Sequence, residues 1–474
     1  MSYSRRILKN ISSLALARVV SMATSLVSSI YLARVLGAES YGILGFGTAL
    51  LSFFTLVVNL GFDVFGTREI AREHERVQEL TNNILTMRLF LAVVVFGLYA
   101  VVIAWIDKPA AFKAVLIVLG VNLFTNALTL DWVYQGVERM DVIATRQVLS
   151  SLLGLLAVFI LVHEQTDVIL AAVASVVALL INAVWMLNRY LQDFNGFKFS
   201  FNWKLYQEIL QASLPIAVSS FMISIYYSMD TVMLGFMRTE EEVGWYTAAY
   251  KFLNIAIVPM GIFVQALLPT LSNAYGNQVL MKQRAINLAK ALLVVGVPIS
   301  ATGMVFAQDL IKLIFGNSYI PASNALVLLM ANVFLIYINT VYGNPLVAWN
   351  QQKNQMYAIL AGGVINIILN FLLIPGYGIE GAALATLISE AIVLIGQAFL
   401  HFRMVNQLYI FILIRVLVAT FTSIGIVMIC TIEYPIPFLL SLLLISALFF
   451  LLILLLKVID LDFFKKMFIT RHYN

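Results

Sequence analysis

Fourteen apolar stretches, separated by short polar breaks, occupy most of this 474-residue chain. The last of them, 436–456 (IPFLLSLLLISALFFLLILLL), contains no charged residue at all. In hydrocarbon no water meets the backbone, so each N–H and C=O must find its partner within the chain, and a run of about 20 apolar residues crosses as an α-helix. The runs fall at 12–33, 40–62, 84–106, 111–133, 145–163, 166–188, 208–235, 244–268, 286–306, 322–343, 355–374, 379–400, 408–430 and 436–456. They predict an all-α, polytopic membrane protein with about 14 transmembrane helices. With 62% hydrophobic and 11% charged residues, the composition excludes an ordinary soluble domain. A single cysteine, Cys430, excludes an intrachain disulfide, and His74, His163, His401 and His472 show no metal-ligand spacing. The basic N-terminus lacks a small-residue cleavage site and is read as leading into a retained first span.

Lys and Arg set the orientation. With the N-terminus inside, 20 of the 29 fall in cytoplasmic segments and five in the opposite loops: Arg34, Lys108, Lys113, Arg238 and Lys312. This positive-inside asymmetry predicts that both termini are cytoplasmic. The connector 63–83, with its charged TREIAREHERVQEL segment, reads as a solvated helix that helps set topology. The longest outer connection, 308–321, is far shorter than the ~50 residues a folded domain needs.

The chain also reads as an internal duplication. VLGAESYGILGFGTALL (35–51) joins spans one and two, and MLGFMRTEEEVGWYTAAYKFL (233–253) joins spans seven and eight. Gly37 pairs with Gly235, and Gly42 with Gly244. A weaker echo links 131–147 with 344–360. Six helices separate each pair, an even number that preserves orientation, so the repeats are parallel. The expected plan is two pseudo-symmetric six-helix lobes, 1–200 and 201–405, around a central cavity. A helix pair with a cytoplasmic tail, 406–474, completes the chain.

Polar residues recur at helical spacing in matching spans of the two lobes. Span one has Arg18, Ser21, Ser25 and Ser28; span two has Thr48, Ser52, Thr55 and Asn59; span four has Asn122, Asn126 and Thr129. In the second lobe, span seven has Ser220, Ser224, Tyr227 and Thr231 beside Asp230, span eight has Lys251, Asn254, Gly261 and Gln265, and span ten has Asn332 and Asn339. Small polar residues also glue helices together, but the matched placement points to a shared cavity. A charge inside a span costs about 2.5–3.5 kcal/mol on insertion scales unless it faces water or a partner. Arg18 and Lys251, one per lobe, are therefore assigned to the cavity. Arg88 is read as snorkelling to the cytoplasmic surface and Arg415 as interfacial or near a lipid tail. Asp131 is read as interfacial. Asp230 and Glu390 lie deeper, as candidates for ion pairing or for binding a coupling ion. Pro215, Pro259 and Pro298 lie within spans, where they permit bending.

The segments LGAESYGILGF (36–46), LGFDVFGTREIAR (60–72), MDTVMLG (229–235) and GYGIEGAALATLISE (376–390) resemble the Wzx-type polysaccharide-unit flippases of the multidrug/oligosaccharidyl-lipid/polysaccharide exporter superfamily. The resemblance covers nearly the whole chain. It implies translocation of an undecaprenyl-diphosphate-linked oligosaccharide from the cytoplasmic to the outer leaflet by alternating access. The diphosphate would sit in a cationic cavity, with the sugar held by Ser25, Asn59, Asn122, Asn126, Asn254, Gln265, Asn332 and Asn339. Related lipid II flippases carry cavity arginines on helices one and eight; Arg18 matches the first, and Lys251 stands at the second. The last two helices of those relatives form a groove for the lipid tail, which gives 408–456 its expected role. The resemblance implies a monomer in a bacterial inner membrane, working with a glycan polymerase and a chain-length regulator. No cofactor, metal or nucleic acid is expected, and the chain is read as a transporter rather than an enzyme. The rival readings are a cation-coupled multidrug exporter of the same superfamily and a polytopic glycan polymerase or ligase. The latter would usually need a large outer loop.

Overall fold

The structure, a computed structural model, describes residues 3–194, 196–434 and 436–460, with side chains from residue 13 onward except at 223 and 226. The expected tail 461–474, His472 included, lies outside the described residues. Every described element is a helix. Eleven helices are long and apolar enough to cross a membrane, and the pair Trp203–Met222 and Tyr227–Met237, bent by 57°, makes a twelfth. Two of the eleven each contain two spans. Tyr3–Asn59 turns back at Gly37 (φ 75°) and Gln352–Val405 at Gly378 (φ 54°). A left-handed φ is nearly free of strain only for glycine, so a single residue replaces a loop at each turn. Among the described residues fourteen spans result, as the apolar runs predict.

Local detail follows the sequence chemistry. The connector after span two is helical over Phe62–Arg72 and docks Phe62, Phe65 and Ile70 into a cluster with Leu80, Ile84, Trp132, Tyr134 and Tyr190. Each such burial contributes about 1.5–3 kcal/mol. Arg68 and Arg72 stay on its solvent side. A Cβ at Gly66 would enter the Trp132 ring, so the connector can lie this close only as glycine. Between spans five and six, the helix ends at Leu161 and restarts at Val168. The Asp167 carboxylate closes this turn by accepting from the His163 and Glu164 N–H groups, which hold its pKa below the ordinary carboxylate value.

Span four departs from the expected continuous helix. It is broken into Ala110–Gly120, Asn122–Ala127 and Asp131–Gly136. The Thr125 and Thr129 hydroxyls donate to the Asn122 and Thr125 carbonyls, competing with the helix ladder as such side chains do.

The chain forms two compact units, Met1–Trp245 and Tyr246–Asn474. In the first, three side chains of span three hold the extended segment that leads to span seven. Asn82 Oδ1 accepts from Lys198 N (3.1 Å), Thr86 Oγ1 from Ser200 N (3.2 Å) and Asn83 Oδ1 from Asn202 N (3.2 Å). In the second, span ten (Ser323–Ala348) packs against spans nine, eleven and twelve. The last helix pair, Ile410–Glu433 and Phe438–Leu455, docks on Gln278–Val305 through Ala301, Ile424, Val427 and Ile445.

Candidate functional site

The cations of the spans fall into two kinds. Arg88 is 1% exposed. Its guanidinium donates to Asp63 Oδ1 (3.0 Å), to the Thr129 carbonyl (3.2 Å), to the Asn126 carbonyl (3.2 Å) and to Asn59 Oδ1. Snorkelling is therefore corrected. The break in span four leaves carbonyls short of helical donors, and the five N–H groups of an arginine are suited to collect them. Asn59 is drawn into the same knot and helps to fix spans two, three and four. Asp131, expected at the interface, pairs with Arg146 at 2.6 Å. Asp193 gathers Arg139, Arg189 and the Tyr134 hydroxyl at 2.9, 3.1 and 3.2 Å.

Arg18, Lys251 and Arg415 are of the other kind: among the described residues none of them makes an ion pair. Arg18 lies on an open face of span one with Met22 and Ser25. Ser21, expected on that stripe, instead donates to the Gln147 carbonyl of span five at 3.2 Å. Lys251 is partly covered, whereas Asn254 and Gln265 of its own span are exposed, and so is Arg415. Span eight breaks after Ala256 and resumes at Val258, with Pro259 in its first turn. The freed Ala256 carbonyl accepts from Tyr337 Oη at 2.9 Å.

The amides divide as well. Asn122 and Asn126 each keep a buried side-chain oxygen with no partner among the described residues. Asn332 and Asn339 are 2% and 6% exposed, packed within the second unit rather than lining an open surface; Asn339 Nδ2 donates to the Glu390 carbonyl at 3.0 Å. Asp230 (1% exposed) and Glu390 (6%) are buried. The hydroxyls of Thr48, Ser52 and Thr55 donate to carbonyls of their own helix.

Two features escaped the sequence reading. Asn366, Asn370 and Thr386 form a buried chain, Asn370 Nδ2 donating to Asn366 Oδ1 (3.0 Å) and Asn366 Nδ2 to Thr386 Oγ1 (3.3 Å). Their signal was an i, i+4 asparagine pair inside an apolar span. The second is a crossing of the duplicated turns inside the first unit. A Cβ at Gly42 would run into the Glu240 carbonyl, and one at Gly244 into the Ala38 carbonyl. Glycine alone permits this backbone contact, and the two halves of the repeat make it reciprocally. Beside it, Lys108 Nζ meets Glu240 Oε1 at 2.8 Å.

Known proteins place this architecture. The family model described as "Polysaccharide biosynthesis protein" matches residues 7–275. The chain belongs to that family. The MatE model matches residues 215–372. An Escherichia coli K12 relative, named as an O-antigen transporter, is 25% identical over 399 residues, covering 81% of this chain and 94% of the relative. The capsular polysaccharide biosynthesis protein CapF of Staphylococcus aureus is 22% identical, covering 83% of this chain and 99% of the relative. Among solved structures, the lipid II flippase MurJ in an inward closed conformation superposes with a TM-score of 0.75 at 14% identity, over 94% of this chain and 98% of MurJ, a likeness of fold. As a family member the protein is a multi-span membrane transporter.

Proposed function

We propose that the protein is a flippase that moves an undecaprenyl-diphosphate-linked oligosaccharide unit from the cytoplasmic to the outer leaflet by alternating access. The single observation carrying this reading is the contrast among span cations. Arg88 has its charge met by a carboxylate and three oxygens, whereas Arg18 and Lys251, one in each compact unit, have no carboxylate partner among the described residues. Cations left unpaired in spans are matched to an anionic ligand, and a diphosphate supplies several acceptor oxygens. Ser25, Asn254 and Gln265, exposed on the same spans, suit an uncharged sugar. The names of the relatives support a glycan cargo. Arg415 and the last helix pair are assigned to the lipid tail, and Asp230 and Glu390 to ion coupling. The protein works as a monomer in the bacterial inner membrane with both termini cytoplasmic, feeding a polymerase and a chain-length regulator.

The test is replacement of Arg18 and Lys251 by alanine. Each is expected to lower surface glycan by roughly tenfold or more, the equivalent of one charge-assisted contact, with normal protein level. Lys251→Arg retains transport because the charge survives. Normal surface glycan in both alanine variants overturns the site. The match of the MatE model to 215–372 favours a second reading, drug export, which drug hypersensitivity of a deletion strain with intact surface glycan would support.

A further inference from the structure

Span twelve buries a polar face through the length of its second half. Thr386, Glu390, Gln397 and His401 are 2%, 6%, 4% and 0% exposed, and Glu390, Gln397 and His401 recur at i, i+7 and i+11, one side of a helix. Span ten turns Asn332, Asn339 and Tyr342 inward, all buried. The two faces meet at stated points. Asn339 Nδ2 donates to the Glu390 carbonyl, and a Cβ at Gly343 would touch the Gln397 side-chain oxygen. The Tyr342 and His401 rings lie 5.3 Å apart. At the far end, His401 Nε2 and Tyr409 Oη are 2.9 Å apart, Trp349 stacks on the imidazole at 5.7 Å, and the Tyr409 N–H donates to Tyr342 Oη. Eleven residues of helix separate Glu390 from His401, about 16 Å at 1.5 Å per residue, or half of a bilayer core ~30 Å thick.

Leu or Val would pack such a seam without cost. Here the side-chain oxygens of Asn332, Asn339 and Gln397 are buried with no partner among the described residues. An unmet buried acceptor costs about 1–3 kcal/mol, and polar buried sites of this kind are where proteins hold ordered water. A row of acceptors with a carboxylate at one end and an imidazole–phenol pair at the other is the composition of a proton relay.

We propose that the seam between spans ten and twelve is a proton path. It lets Glu390 exchange its proton with the solution on the side where span twelve ends, through water held at Asn339 and Gln397 and through His401 and Tyr409. The proposal rests on the reading of Glu390 as a coupling carboxylate. One proton moves. His401 releases it from Nδ1 to water, Nε2 takes the Tyr409 hydroxyl proton, Tyr409 takes a replacement proton from the solution, and the Glu390 carboxylate becomes the acid. Only N–H and O–H bonds form and break, and release by the same route restores the first tautomer. The Tyr409 hydroxyl is buried within hydrogen-bond reach of the ring, placed to hand a proton to it or take one from it. Span twelve itself adds Glu380. The neighbouring segments bring Tyr337 and Tyr342 (span ten), Lys353, Tyr357 and Tyr377 (the first half of the Gln352–Val405 helix), Lys282, Arg284 and Lys290 (the Gln278–Val305 helix) and Tyr409. Among the described residues, Tyr337, Tyr342, Lys353, Tyr357, Tyr377 and Tyr409 make no ion pair or hydrogen bond with the Glu390 carboxylate.

The experiment follows the protonated-carboxyl infrared band of the full-length protein in proteoliposomes after a pH jump, the band being assigned to Glu390 by its loss in Glu390→Gln. Gln397→Leu and His401→Phe, the latter keeping the aromatic stack, are each expected to slow the band's appearance by roughly tenfold while leaving its final amplitude unchanged. Unaltered rates in the folded variants overturn the path. If Gln397→Leu fails to fold, His401→Phe decides alone. A band that never responds to pH overturns the path and the coupling role together. A responsive band with pH-dependent transport intact in Glu390→Gln removes only the coupling role, and the path is still read from the rates.

Discussion

Arg88 and Lys251 carry the same charge inside apolar helices and have opposite surroundings. Arg88 satisfies oxygens from three elements, so its removal would orphan buried acceptors at about 1–3 kcal/mol each. Arg88→Met is expected to lower the thermal unfolding temperature of the detergent-purified protein by several degrees and to reduce its level in the membrane. Arg88→Lys rescues only part of this, because an ammonium cannot span the same acceptors. Arg18→Ala is expected to leave stability unchanged. A chain read by hydropathy shows how far Arg88 lies from a helix end, but not that span four breaks beside it and frees its carbonyls. At that break the Thr125 and Thr129 hydroxyls bond carbonyls of their own segment, local chemistry with no apolar signature. The contact that ties Asn59 to Arg88 was hidden for the same reason. Arg18 and Lys251, assigned to the cavity in the sequence, make no ion pair among the described residues.

At the scale of elements, the sequence reads as a duplication at two turns. Only one of the two glycine equivalences keeps its meaning in three dimensions. Gly37 turns the chain with a positive φ, whereas its counterpart Gly235 stays helical inside Trp203–Met237, with the Phe46 ring against it. Gly42 and Gly244 do act alike, each accepting the other's turn. Any Cβ there forces the backbones apart, an overpacking cost of about 1–3 kcal/mol. Gly42→Ala and Gly244→Ala are expected to lower surface glycan by roughly tenfold, whereas Gly97→Ala, whose added Cβ would meet nothing within 4 Å, leaves it unchanged. Comparison of surface glycan at matched protein level decides. The segment before span seven is a second case: its sequence is that of a loose connector, yet Asn82, Asn83 and Thr86 hold it by its backbone. Replacing all three by Ala, Ala and Val should raise hydrogen exchange at Lys198, Ser200 and Asn202 while the core of span three stays protected. No pattern in the connector announces this, because the acceptors lie over a hundred residues upstream.

Whole-molecule architecture was the most legible level, because the bilayer admits few solutions: helix count, helix length and, among the described residues, the absence of strands follow from backbone satisfaction in hydrocarbon. Orientation is expected from a different physical rule, the Lys and Arg bias of the loops. The single cysteine makes it measurable. In a Cys430→Ser background, Glu164→Cys and Asn317→Cys, in the turns after spans five and nine, are expected to react with a membrane-impermeant maleimide in intact cells. Lys198→Cys and Lys282→Cys, in the segments before spans seven and nine, are expected to react only once the inner membrane is opened. Asn317 and Lys282 are both in the second unit, and Glu164 and Lys198 both in the first, so each unit carries its own inside–outside pair. The reverse pattern in both pairs would invert the protein and, with it, the side to which the His401 end of span twelve opens. Reversal in one pair alone would break the parallel relation of the repeats, since six intervening helices require the two halves to share one orientation.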